Sequence, residues 1–169
     1  IHNILNGKIH SMGELQKNTS LLGVDINGSY RVIVFGMTNE SMARGDFKAK
    51  VKDIDVLSDL IRSRISKAKI HNDLDKIVVI QEVEREQTQE EYRKSIKKIA
   101  EQVQADVARY NKYLKIKAGA GRVVDGIINL PESFKEANEA FMFVDVAGET
   151  PEDGGPQVRT WAYLSCCAS

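Results

Sequence analysis

Apolar residues recur along this chain in two rhythms, one of alternating or continuous short runs and one of every third or fourth position. Tyr30–Met37, reading YRVIVFGM, is β-rich and is the first strand expected. Val51–Ala68 changes rhythm. Val51, Ile54, Leu57, Ile61, Ile65 and Ala68 fall three or four apart, as one face of a helix. Asp75–Val83 holds IVVI, a second strand entered from His71-Asn72-Asp73. Gln89–Tyr110 is the most regular element, with Tyr92, Ile96, Ile99, Val103, Val107 and Tyr110 on one stripe and Glu90, Arg93, Lys97, Lys98 and Glu101 on the solvated side. A strand over Lys112–Ala120, a helix over Ser133–Ala147 and a last strand over Gln157–Leu164 complete the pattern. In that last strand Trp161 and Tyr163 alternate with Ala162 and Leu164, as packing residues on one face. Polar Thr38–Asp46 and Gly148–Pro156 read as loops.

Ahead of the first strand, Ile1–Asn6 reads as the tail of a helix stopped at Gly7. Ser11–Leu22 reads as a second short helix, stopped at Gly23. Residues 1–25 are thus a helical lead-in, and 26–169 form a single domain. Its order is strand, helix, strand, helix, strand, helix, strand, with Gln81–Glu86 a candidate extra hairpin strand. One-sided helices between strands predict an α/β (α+β) fold, a sheet with helices packed against it.

Composition narrows the function classes. The 169 residues suffice for one core-bearing domain. Lys+Arg and Asp+Glu both number 24, so the basic excess expected of a DNA-binding domain is missing. No apolar run approaches the ~20 residues that span a bilayer, and no signal-peptide pattern opens the chain. No membrane association is expected, and the location expected is the cytoplasm. The chain opens at Ile1 without Met, so a longer parent protein is expected. Cys166 and Cys167 are adjacent, cannot staple a fold and show no metal-ligand spacing. They are expected to be reduced thiols.

Residues Lys117–Ala140, KAGAGRVVDGIINLPESFKEANEA, carry the most information. A strand runs into Gly119 and Gly121, then a turn, then Leu130-Pro131-Glu132-Ser133 opening a helix. Pro131 suits a first helical turn, and Glu132 and Glu136 favour the positive end of the helix dipole. In wording this stretch resembles the GGDEF-like domain of bacterial transcription regulators of the purine-catabolism and sugar-diacid type (PucR/CdaR). There a glycine-punctuated strand ending Gly-x-Gly-Arg precedes a Ser-aromatic-x-Glu-Ala helix. The lead-in and first strand, Ile4–Phe35, are similar to the same family, and related domains occur within some AraC-type regulators. The resemblance implies a nucleotide-cyclase/GGDEF-like sheet over 26–169, and a signalling module rather than an enzyme.

Diguanylate cyclases of this class carry a Gly-Gly-Asp/Glu-Glu-Phe hairpin in mid-domain and an Asp on the first strand, which together hold the nucleotide and Mg²⁺. The stretch taken as the hairpin's counterpart, Ile80–Glu86, has no glycine, and Tyr30–Met37 has no acid. Gly154-Gly155 is followed by Pro156 and lies outside the expected hairpin. Glu82, Glu84 and Glu86 alternate as the solvent face of a strand would; a carboxylate metal site is the rival reading. His2, His10 and His71 are scattered, and no Gly-x-Ser-x-Gly elbow exists. No catalytic residue, cofactor or metal is assigned. Gly119-Ala120-Gly121-Arg122 has two readings, a strand-end turn needing small residues, or a cradle in which Gly119, Gly121 and Arg122 contact an anionic effector. It lacks the third glycine of a dinucleotide fingerprint and the Gly-Lys-Ser/Thr ending of a P-loop.

The function expected is therefore a non-catalytic regulatory module, sensory or dimerising, of a regulator such as one for sugar diacid utilization. The partners expected are a second copy of the chain, a small-molecule effector, and DNA only through a helix-turn-helix outside these residues. Tyr110 and Tyr113, extending the stripe of the long helix, are a candidate dimerisation face beside the plainer reading of core packing. The rivals are an effector-binding domain of an AraC-type regulator and a divergent nucleotide cyclase.

Overall fold

The computed structural model describes residues 2–8, 11, 13–14, 16–17, 20, 23–43, 47–73, 75–84, 88–147 and 161–164. Its elements are α1 (His2–Leu5), β1 (Ser29–Met37), α2 (Asn39–Met42), α3 (Phe47–Arg64), β2 (Ala68–Asp73), β3 (Lys76–Glu82), α4 (Gln89–Tyr110), β4 (Ile116–Ala120), β5 (Val124–Asp125), a 3-10 turn at Ile127–Asn129, α5 (Leu130–Ala147) and β6 (Trp161–Leu164).

Five strands lie in the order β2-β3-β1-β4-β6, every neighbouring pair antiparallel, and short β5 adds to β1 beside the end of β4. The order interleaves two split βαβ units: β3 sits between β1 and β2, and β1 sits between β3 and β4. All nine residues of β1 are buried. Their side chains alternate between two cores because strand side chains alternate between faces. Ile33, Phe35 and Met37 pack with Leu57, Ile61, Ile77 and Val79, and with Ile96, Ala100, Val103 and Val107 of α4. Tyr30, Val32 and Val34 pack on the opposite face with Ile4, Leu5, Val124, Leu130, Ala137 and Phe141. Helices therefore cover both faces, α3 and α4 one and α5 with α1 the other. Each fully buried aliphatic or Phe side chain contributes about 1.5–3 kcal/mol, so β1 anchors both layers. This is the α+β sheet with packed helices that the sequence predicts. Among the described residues no helix is long and apolar enough to cross a membrane.

The long helix begins and ends where its periodicity predicts, Gln89–Tyr110. Thr88 caps it: its hydroxyl accepts from the Glu91 N–H at 3.2 Å, while the Glu91 carboxylate accepts from the Thr88 N–H at 2.7 Å. That reciprocal pair satisfies two of the otherwise orphaned donors of the first turn. Arg64 ties α3 to α4 by a two-pronged ion pair with Asp106, at 2.7 and 2.9 Å. The guanidinium holds the Asp106 carboxyl below its usual range.

Four expectations are corrected. The helix expected over Val51–Ala68 runs instead over Phe47–Arg64. Lys67 adopts a left-handed φ of 50°, which turns the chain before Ala68 opens β2. Strand β2 therefore supplies the hairpin partner of β3 from upstream, with pairs from Ala68↔Gln81 to Asp73↔Lys76, and not from Gln81–Glu86. The loop expected over Thr38–Asp46 contains α2, because Thr38 caps a turn. Its carbonyl accepts from the Met42 N–H at 2.9 Å and its hydroxyl from the Ser41 N–H at 3.3 Å. The strand expected from Lys112 starts at Ile116, since Asn111 closes a turn by accepting from the Leu114 N–H through its carbonyl. Half of the second lead-in helix, Ser11–Leu22, and all of 148–160 and the cysteine pair lie outside the described residues.

Removing the cap tests the account of α4. Thr88→Ala is expected to lower stability by about 1 kcal/mol in urea denaturation, and Thr88→Ser to restore most of it.

Candidate functional site

The glycine turn singled out in the sequence sits where β4 leaves the centre of the sheet. β1 pairs with β4 as far as Ile33↔Ala120 and with β5 from Tyr30↔Val124, which strands Val32 between them. Two groups complete its ladder. The Gly121 N–H donates to the Val32 carbonyl at 2.9 Å, and the Val32 N–H donates to Ser133 Oγ at 2.9 Å. Ser133 lies wholly buried in the first turns of α5. A Cβ on Gly121 would collide with the Ser133 carbonyl, and one on Gly119 with the Phe141 amide nitrogen and the Ala137 carbonyl. Both glycines are thus consumed by the close approach of α5 to the sheet.

Arg122 follows directly and is held by α5. Its N–H donates to Glu136 Oε2 at 3.0 Å, and its guanidinium pairs with Glu132 at 2.5 Å and with Glu136 at 3.3 Å. Two carboxylates around one guanidinium leave a local excess of negative charge, which opposes an incoming anion. Of the three residues nominated as effector contacts, the structure brings Gly121 and Arg122 to the start of α5 and places Gly119 beneath Ala137 and Phe141.

The cations with unusual surroundings lie elsewhere. Lys76 and Lys117 are the cross-strand neighbours of Gly36 on either side, and their ammonium groups stand 5.5 and 4.0 Å from the centroid of the Phe141 ring. Lys117 is 3% exposed. Burial, helped by the charge of Lys76 and opposed by that of Asp75, pushes its amine down to about 8. On the other face Arg31 is 2% exposed, yet its guanidinium donates to Gln81 Oε1 at 2.8 Å, Ser95 Oγ at 3.1 Å and the Tyr92 carbonyl at 3.4 Å. It also lies 5.6 Å from the Tyr92 ring centroid. Burial lowers it to about 10. Sequence reading passed over both. Their only signal was a lone cation inside a strand of otherwise small or apolar residues.

The hairpin ahead of α4 is made by β2 and β3, paired from Ala68↔Gln81 to Asp73↔Lys76, and its turn does not lie within Ile80–Glu86. Between Asp73 and Lys76 the sequence reads Leu74-Asp75, without glycine. Glu82, the last residue of β3, and Glu84, beyond the strand, are both exposed; Glu86 lies outside the described residues. His71 is half-buried on β2, and His10 lies outside the described residues. Among the described residues no group of three or more His, Cys, Asp or Glu stands close enough to hold a metal ion. Tyr110 and Tyr113 are 42% and 59% exposed, so neither belongs to the core stripe. The Tyr110 hydroxyl donates to Asp53 at 3.1 Å across to α3.

The model of one protein family, described as the GGDEF-like domain, matches residues 6–142. No curated protein matches the chain.

Two measurements check this geometry. Gly121→Ala is expected to cost about 3 kcal/mol or more, because the clash is with backbone that a rotamer change does not relieve, whereas Ala120→Gly costs about 1 kcal/mol. Lys117 loses its proton near pH 8 in the fold but near its ordinary 10.5 when unfolded. The unfolded chain therefore binds more protons between these values, and stability rises with pH from about 8 to 10. In Lys117→Met that rise is expected to flatten and stability at pH 7 to increase, both read from urea midpoints across the range.

Proposed function

Since the chain belongs to the GGDEF-like domain family, we propose that it is a non-catalytic regulatory module of a bacterial transcription regulator of the PucR/CdaR type. In this reading it acts in the cytoplasm as a homodimer and passes a signal to a helix-turn-helix elsewhere in the regulator. One observation carries the non-catalytic part. The two elements that hold nucleotide and metal in the cyclases, the first strand and the mid-domain hairpin, are both built here for packing. β1 has Arg31 as its single charged residue, a buried cation where a metal site needs an anion. The hairpin turn lacks the glycines that would admit a nucleotide against its backbone.

The regulatory part is supported by the family and by the lead-in. Ile4 and Leu5 of α1 are buried in the same core as Phe141 and Val32. A displacement upstream therefore bears on the sheet through α5. A second reading is a small-molecule or nucleotide effector-binding domain of an AraC-type regulator, and the cations Lys76 and Lys117 beside Phe141 are the observation that supports it.

The test is enzymatic and genetic together. Incubation with GTP or ATP and Mg²⁺ is expected to give no cyclic product by chromatography, and the chain alone no operator affinity in a salt titration. In the intact regulator, deleting residues 26–169 is expected to abolish the response to inducer while operator binding survives. A cyclic product from the purified chain would restore the cyclase reading.

A further inference from the structure

The outer edge of β2 is an open edge of the sheet among the described residues, since β2 pairs with β3 alone, and β6 ends the sheet on the other side. Its hydrogen-bonding phase follows from the ladder. The Glu82 N–H donates to the Lys67 carbonyl, so Lys67 and Glu82 form a hydrogen-bonded pair, and antiparallel pairs alternate from there. Lys69, His71 and Asp73 therefore bond inward to β3, while Ala68, Ile70 and Asn72 direct their N–H and carbonyl groups outward. Side chains alternate likewise. Lys69, His71 and Asp73 share one face of the edge, and Ile70 and Asn72 the other, where Ser58 of α3 donates to Asn72 Oδ1 at 3.1 Å.

An exposed edge of this kind is a template for another strand, and charged residues on it select which strand. Self-pairing about a two-fold axis must match outward residues with outward residues, which confines the register. Centring the axis on His71 pairs Ile70 with Asn72 of a second copy in hydrogen-bonded positions. It also sets Lys69 opposite Asp73 twice, in the non-hydrogen-bonded positions where side chains approach most closely. The phase of the backbone and the signs of the charges select the same register.

We propose that β2 is a homodimerisation edge: two copies of this chain join their sheets antiparallel through Ala68–Asp73, with His71 on the two-fold axis. The proposal rests on the homodimer of the function proposed above and names its surface.

The oligomeric state of the 169-residue chain, by sedimentation across micromolar concentrations, tests it. A dimer is expected. Lys69→Asp sets like charges opposite each other twice and is expected to weaken it roughly tenfold. The double swap Lys69→Asp with Asp73→Lys restores the pairing and is expected to return the affinity to within about threefold of the original. Ile70→Pro removes an outward N–H without touching the β3 ladder and is expected to give a monomer with an unchanged circular dichroism spectrum. A monomeric wild type, a dimer indifferent to Lys69→Asp, or a double swap weaker than the single change overturns the proposed edge. A dimer indifferent to these changes, in a chain that still makes no cyclic product, overturns the edge alone and leaves the regulatory reading standing.

Discussion

The structure depends on one requirement: a strand buried along its whole length must find a partner for every N–H and carbonyl it carries. β1 meets it with β3 on one side and, on the other, with β4, β5 and the Gly121–Ser133 contact at Val32. An unsatisfied buried amide costs roughly 1–3 kcal/mol, comparable to the burial of a whole aliphatic side chain. The gap at Val32 is therefore no minor defect in the ladder. Closing it fixes three things at once. Ser133 must sit in the opening turns of a helix, that helix must lie directly on the sheet, and the strand end beneath it must lack side chains. The Gly-x-Gly-Arg and Ser-aromatic wording follows from this single junction, and the clamp of Arg122 on Glu132 and Glu136 holds the same turn in place.

The buried cations qualify this picture of a sheet built for packing. Arg31 retains three hydrogen-bond acceptors and an aromatic face, so its burial substitutes protein contacts for water. Replacing such a buried polar cluster by apolar residues of similar volume is often neutral for stability, so a buried charge is weak evidence of a stabilising role. Lys117 differs in kind. Its ammonium faces the Phe141 ring and stands near Lys76, and burial lowers its pKa to about 8 while Asp75 opposes that shift.

What the sequence disclosed follows the same physics. α4 was legible to the residue because a long solvent-facing helix needs a sustained apolar stripe. β1 was legible because burial on both faces leaves an unbroken apolar run. β2 was hidden: an edge strand buries only part of one face, and AKIHND offers just Ala68 and Ile70 to the core, too few to set a period. The apolar spacing of α3 runs on through Ile65 and Ala68, both packed on the same core as the helix, so periodicity overran the real turn at Lys67. At the candidate site the glycines were legible as glycines, but their role was not. A cradle for an anion and a seat for a helix both require a missing Cβ, and only the position of Ser133 separates them.

The distribution of elements over the two faces constrains how such a module transmits anything. The face carrying α3 and α4 is closed by Arg64 on Asp106 and by continuous aliphatic packing, and interiors packed this densely deform little. The opposite face is where the lead-in enters. α1 buries Ile4 and Leu5 against the α5 core, and the side chain of Pro131 lies next to Gly7. The turn of α5 that receives the lead-in is thus the turn that supplies Ser133 to β1 and carboxylates to Arg122. A shift of the lead-in reaches the central strand through that helix end. From there β1 and β3 lead across the sheet to β2, where the outward amides of Ile70 and Asn72 stand. In the proposed regulator the input and the pairing edge are therefore joined by three hydrogen-bonded strands, β1, β3 and β2.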